Sequence, residues 1–266
     1  GYVSGNTSGG FTTVAGSSTA DLTNTSGRNY VAWNWKANGS GVSNTDGSIT
    51  STVSANTESG VSVVTFSGAS AGTVGHGLGA VPKMIMIKTR TTTLGWYVYT
   101  QAVGSSGWLQ LNTTAAAITG NTAAFGGTDP TSSVFSYGSG LAGTGDYVAY
   151  CFADVEGFSK VGSSYTGNGS TDGPFVYTGF RPAFLILKRT DLANNWVIYD
   201  TERNTSNVSE FTLRADDSSA EGSNNLVDIL SNGFKLRDSG GSRNASGGTY
   251  IYMAFAENPF KYSNAR

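Results

Sequence analysis

The stretch Pro82-Lys83-Met84-Ile85-Met86-Ile87-Lys88, followed by Trp96-Tyr97-Val98-Tyr99, returns as Pro182-Ala183-Phe184-Leu185-Ile186-Leu187-Lys188, followed by Trp196-Val197-Ile198-Tyr199. Proline, lysine, tryptophan and the final tyrosine keep register, and the run between them stays apolar. Farther on, Tyr147-Val148-Ala149-Tyr150-Cys151-Phe152-Ala153 returns as Tyr250-Ile251-Tyr252-Met253-Ala254-Phe255-Ala256, and a third version, Tyr30-Val31-Ala32-Trp33-Asn34-Trp35-Lys36, stands near the start. Such self-similarity reads as the tail of one module followed by two whole ones. It also acts as a filter. A side chain matched by a different chemical type in the other version belongs to the scaffold rather than to a reaction.

The pattern within these segments is that of strands. Alternate side chains of a strand face opposite sides of a sheet. In the closing segments one side carries Val31, Trp33 and Trp35, then Val148, Tyr150 and Phe152, then Ile251, Met253 and Phe255. The other side is small at its centre: Ala32, then Ala149 with Cys151, then Ala254. Bulk on one side and little on the other suits the middle of a sheet that a second layer approaches closely. Met84–Ile87 and Phe184–Leu187 are apolar on both sides, and the prolines before them stand where a missing amide donor is tolerated. Short polar links to Trp96–Tyr99 and Trp196–Tyr199 make each pair a hairpin. Leu109–Leu111 resembles Phe211–Leu213, and Val134–Tyr137 resembles Gly233–Leu236, which fills out each module. No window shows apolar residues at helical spacing, while Gly, Ser, Asn and Asp separate the strand-like runs.

The expected fold is all-β, with tandem β-sandwich modules of jelly-roll type related by internal duplication. The modules occupy residues 61–158 and 159–266. Residues 1–60 are the C-terminal part of a preceding module plus a polar connector over 37–60, with one strand at Ile49–Val53. This half-module leads us to expect further chain upstream, and leaves the Tyr30–Lys36 strand needing cover from the adjacent module or another subunit.

Composition limits what the chain can do. Only 13% of the 266 residues are charged, against about 25% in a typical soluble protein. Glycine numbers 37, and 12% of residues are aromatic, enough apolar area to offset chain entropy. The net charge is −2 with no cluster of Lys or Arg, which argues against a nucleic-acid partner. No apolar run is long enough to form a spanning helix, so no membrane partner is expected.

Chemistry-bearing residues are few. His76 is the single histidine; it falls opposite Val176 in the other module and precedes a strand, with no nucleophile arranged beside it. Cys151 is the single cysteine and falls opposite Ala254, as a small buried apolar residue does. Neither number suffices for a structural zinc site, and no cofactor or metal is expected. Paired carboxylates for glycoside hydrolysis would have to come from Asp154 with Glu156, Asp216 with Asp217, Glu221 or Asp228. Most of these sit in Ser-, Gly- and Asn-rich loops as surface charge. Gly167–Gly173 lacks the Lys-Ser/Thr ending of a phosphate loop. Among the aromatics, Trp108 and Tyr97 have no aromatic counterpart, and with Tyr137 they are the candidates for ligand contact.

Tyr30–Ala37, Gly77–Pro82, Tyr147–Ala153, Tyr165–Ala183 and Tyr250–Pro259 resemble the repeated β-modules near the C-terminus of structural and tail-fibre proteins of marine, cyanophage-like bacteriophages. The resemblance runs from about residue 28 to the end. It implies a non-enzymatic virion structural protein (a tail fibre, spike or decoration module) at the virion surface. Its partners would be further copies of itself, other virion proteins and a host-surface glycan. The family brings no catalytic residues to carry over. Three other readings stand beside it: a lectin-like carbohydrate-binding module, a polysaccharide depolymerase, and a bacterial surface or filament protein of similar build.

Overall fold

The structure is a computed structural model that describes residues 2–7, 10–14, 24–141, 143, 145–224 and 226–258. The chain divides into two units, residues 1–35 and 36–266. The strands run in chain order as β1 (Tyr2–Thr7), β2 (Gly10–Val14), β3 (Val42–Asn44), β4 (Ser51–Asn56), β5 (Val61–Ser67), β6 (Gly72–Gly75), β7 (Met84–Thr89), β8 (Tyr97–Thr100), β9 (Gly107–Gln110), β10 (Ile118–Thr119), β11 (Val134–Tyr137), β12 (Asp146–Phe152), β13 (Ser159–Thr166), β14 (Phe175–Tyr177), β15 (Pro182–Arg189), β16 (Trp196–Asp200), β17 (Leu213–Arg214), β18 (Val227–Leu230), β19 (Gly233–Leu236) and β20 (Thr249–Ala256). The protein is all-β, with no helix among the described residues.

In the first unit, β1 and β2 form an antiparallel hairpin. Residues 28–38 join no ladder, so the strand expected at Tyr30–Lys36 does not form as one. A closing strand needs a neighbour on each side, as β12 has β5 and β7. Here the hairpin is already paired with itself. Burial nevertheless alternates from Val31 to Ala37, as in an extended chain.

The second unit holds two large antiparallel sheets, ordered β10-β9-β8-β7-β12-β5-β4-β3 and β13-β20-β15-β16-β17, and two small ones, β11-β6 and β14-β19-β18. The connector over 37–60 supplies two strands rather than one; β3 and β4 extend the first large sheet beyond β5. The closing strands are central, as their two-sided apolar pattern required: β12 lies between β5 and β7, and β20 between β13 and β15. Ala149 and Cys151 face a buried cluster with Val64, Ile85, Ile87, Tyr99, Phe135 and Tyr137, so side chains of β11 and of the large sheet share one interior. Ala254 faces a second cluster with Leu185, Leu187, Tyr199, Phe234 and Leu236.

The ladders of the two strand sets correspond. Ile85 pairs with Tyr99 and Cys151, and Leu185 pairs with Tyr199 and Ala254. Val74 pairs with Phe135, and Val176 with Phe234. The last pair shifts one sequence expectation. The ladder position of Val176 is that of Val74, and His76 corresponds to Thr178: their amides donate to Ser133 and Asn232, each two residues before the phenylalanine. The loop from Leu78 to Pro82 is longer than that from Phe180 to Pro182, so an alignment anchored on the prolines slips. For a similar reason the match of Leu109–Leu111 with Phe211–Leu213 slips by two: Leu109 opposes Val98 as Leu213 opposes Ile198, so Trp108 corresponds to Thr212.

Candidate functional site

The outward faces of the two large sheets are also buried. Met84, Val98 and Leu109 on one and Ile186, Ile198 and Met253 on the other are at most 6% exposed, and the rings of Phe152 and Phe255 meet edge to face at 6.2 Å. Around this contact the chain from Gln110 to Ala117 lies over the β15–β16 hairpin. The Trp196 indole Nε1 donates to the Gln110 carbonyl at 2.9 Å, and the Asn194 amide to the Thr114 carbonyl at 2.8 Å. The Ala117 amide donates to the Thr190 carbonyl at 2.8 Å. Lys188 is fully buried; its Nζ donates to the carbonyls of Thr114 (2.9 Å) and Asn194 and sits 5.9 Å from the centre of the Trp196 ring. Burial lowers its pKa to about 8, because the charged form loses hydration.

The aromatic candidates lie in the interior. Tyr137 is 1% exposed and donates to the Leu141 carbonyl, and Trp108 is 8% exposed in the same cluster. Tyr97 is half-buried against it, its ring 6.2 Å from that of Trp108. The three do not form an open surface.

His76 is fully buried. Its Nδ1 accepts from the Leu78 amide at 3.2 Å, so Nε2 carries the proton and donates to the Thr131 carbonyl at 3.1 Å. Both ring nitrogens are engaged with backbone, and burial lowers the pKa, favouring the neutral ring. Thr178 does the same work at its position: the Phe180 amide donates to its Oγ1 at 3.4 Å. Cys151 is buried, and burial pushes its thiol up to about 12.

The carboxylates are separately committed. Asp154 accepts from Lys160 (2.8 Å) and the Val161 amide (2.7 Å), and Asp216 from Asn195 (2.9 Å) and the Trp196 amide (2.8 Å). Glu221 pairs with Arg203 at 2.7 Å, and Asp228 with Arg237 at 2.7 Å. Asp217 accepts from the Ser219 hydroxyl and amide and from Arg214, which together hold its carboxyl down at about 2. A glycosidase acid needs the opposite shift. Among the described residues, no three His, Cys, Asp or Glu side chains gather as for a metal ion.

The open chemistry lies on the small sheet instead. On β14, Val176 points into the interior, while Phe175 and Tyr177 point out and are 45% and 64% exposed. Residues two apart on a strand stand about 6.6 Å from each other. Gly233 of β19 is opposite Tyr177, and the Phe175 ring lies across it: a Cβ at Gly233 would come within 3.0 Å of that ring. Lys235, opposite Phe175, pairs with Asp172 at 2.7 Å; Arg237 bridges Asp172 (3.8 Å) and Asp228 (2.7 Å). This surface escaped the sequence reading. Its signal was the alternation Phe175-Val176-Tyr177, which carries aromatic bulk on the side away from the core.

A family model described as a domain of unknown function (DUF7483) matches residues 2–259. No curated protein and no solved structure matches.

Proposed function

The chain belongs to the DUF7483 family, and from that premise we propose that it is a non-enzymatic structural protein of a bacteriophage particle, a rigid β-module of a fibre, spike or surface decoration that also makes contact with the host surface. In this reading the two strand sets are duplicated β-sandwich modules of jelly-roll type, 61–158 and 159–266. The shared order β9-β8-β7-β12-β5 and β17-β16-β15-β20-β13, with corresponding ladder partners, supports the duplication. The observation that carries the reading is the buried junction of Lys188 and Trp196 with Gln110 and Thr114. A lysine desolvated between carbonyls and an indole donor fixed to backbone hold one module against the next, as a stiff element requires. The resemblance of Tyr147–Ala153 and Tyr165–Ala183 to tail-fibre modules supports the virion setting.

The test is to locate the protein. Antibodies against the folded chain are expected to decorate intact particles in negative-stain images and to slow adsorption to host cells. Absence from purified particles overturns the reading. So does release of reducing ends from host polysaccharide by the pure chain, lost in Asp154→Asn or Asp217→Asn.

A further inference from the structure

The corresponding strands β6 and β14 are covered in different ways. In the first set, Asn44–Ile49 crosses β6. Ile49 bridges to Val74, Ser48 and Thr73 exchange hydrogen bonds of 2.9 Å, and the Ser51 hydroxyl donates to the Gly75 carbonyl at 2.9 Å. Asn44 lies so close to Gly75 that a Cβ there would fall inside its amide group. Such a strap requires glycine at that place. In the second set the link from β12 to β13 is only residues 153–158, no strap precedes β13, and the positions of Thr73 and Gly75 hold Phe175 and Tyr177. Where Asn44 closes on Gly75 in the first set, the second set carries the side chain of Tyr177. A strap that closes on glycine, as Asn44 does at Gly75, does not find one on β14.

We infer that Phe175 and Tyr177 form a binding platform for a neutral oligosaccharide, a reading that rests on the host-contact part of the proposed function. Two rings on an exposed sheet face, one of them close over Gly233, suit the apolar faces of pyranose rings. The rim provides both hydrogen-bonding senses needed for hydroxyl groups: donors on Lys235 and Arg237, acceptors on Asp172 and Asp228. The two cations and two carboxylates pair with each other, so the patch is electrically balanced. An anionic ligand would have to break these pairs, and so would a cationic one.

The experiment uses the full chain on an array of neutral hexose oligosaccharides beside sulfated and carboxylated ones, followed by calorimetric titration of the hits. Binding to neutral members is expected. Phe175→Thr and Tyr177→Gly, the residues that β6 carries, are each expected to weaken it about tenfold. Folding of the variants is checked by circular dichroism. Should either fail to fold, saturation-transfer NMR on the unaltered protein replaces it, with magnetisation expected to pass from the Phe175 and Tyr177 ring protons to the sugar. No neutral binding at millimolar concentration, binding of charged sugars alone, or unchanged affinity in the variants overturns the inference. A chain that decorates particles but binds no sugar removes this inference and leaves the structural reading. A chain that binds through β14 but is absent from particles does the reverse.

Discussion

The indole nitrogen of Trp196 donates to the backbone carbonyl of Gln110 across the boundary between the two strand sets, at 2.9 Å. Trp96, at the corresponding place of the first set, is half-buried and stacks on Tyr150 with ring centres 6.1 Å apart. The same residue type at the corresponding place, just before β8 and at the start of β16, thus meets different surroundings: the Gln110–Ala117 chain of the first set lies beside Trp196.

Trp196→Phe keeps an aromatic ring but removes the donor, leaving the Gln110 carbonyl with the longer bond from the Thr113 amide at 3.4 Å. We expect a loss of about 1–2 kcal/mol in unfolding free energy. Trp196→Ala should cost about 3–5 kcal/mol by opening a cavity. Urea unfolding checks both, and a Trp196→Phe protein as stable as the parent would show that the junction bond contributes nothing.

Lys188 gives the junction a pH signature. Its folded pKa lies at about 8, below its ordinary 10.5, because burial disfavours the charge. Between those values the unfolded chain holds a proton that the folded chain has released, so stability rises with pH. From pH 8 to about 10 the gain should approach 2 kcal/mol. Above that, buried tyrosines such as Tyr99 and Tyr199, whose pKa values are raised by burial, reverse the trend, since the unfolded chain ionises first. Thermal melts from pH 7 to 11 should show this rise in the parent and a flat profile to pH 10 in Lys188→Met.

The strands were legible where alternation was strong and neighbours were available; Tyr30–Lys36 alternates as well but joins no ladder. Val134–Tyr137 and Gly233–Leu236 form as read, and the closing strands are central, because an all-apolar or bulky-and-small pattern states which sides are covered. Ladder register was less legible. Loops of unequal length displaced His76 from Thr178 and Trp108 from Thr212, and nothing in composition marks a loop's length as compensated elsewhere. The exposed pair Phe175 and Tyr177 was missed for a related reason. Trp108 and Tyr97 stand out in the sequence because they lack a matching aromatic, yet lack of a match says nothing about exposure: Trp108 is buried and Tyr97 half-buried. Phe175 and Tyr177 are exposed because residues 153–158 are too short to supply a strap, a fact visible only once β6 and β14 stand at the same place.

His76 should make the fold sensitive to acid. With its pKa lowered by burial, the folded ring stays neutral while the unfolded ring takes a proton near pH 6.5. Stability from this group is therefore complete above pH 6.5 and lost as pH falls toward the folded value. His76→Thr, which copies the cap at Thr178, should remove this component of the acid slope. Melting temperatures between pH 4 and 7.5 test it; an unchanged slope would mean that carboxylates alone set the acid limit.

Cys151 should behave as an apolar core residue and not as a nucleophile. Its thiol is fully buried, and burial raises its pKa to about 12, outweighing the Ser62 hydroxyl that acts in the other direction. The thiolate is the reactive form, so alkylation in the folded state should be far slower than for a free thiol with pKa near 8.5. Labelling should instead follow unfolding, its rate rising with urea in step with the loss of folded protein. Ala254 shows that a methyl group fits the corresponding position, and Cys151→Ala should cost only about 1 kcal/mol. Rapid labelling in the absence of denaturant would show that the strand carrying Cys151 opens locally, and would contradict its place between β5 and β7 at the centre of the sheet.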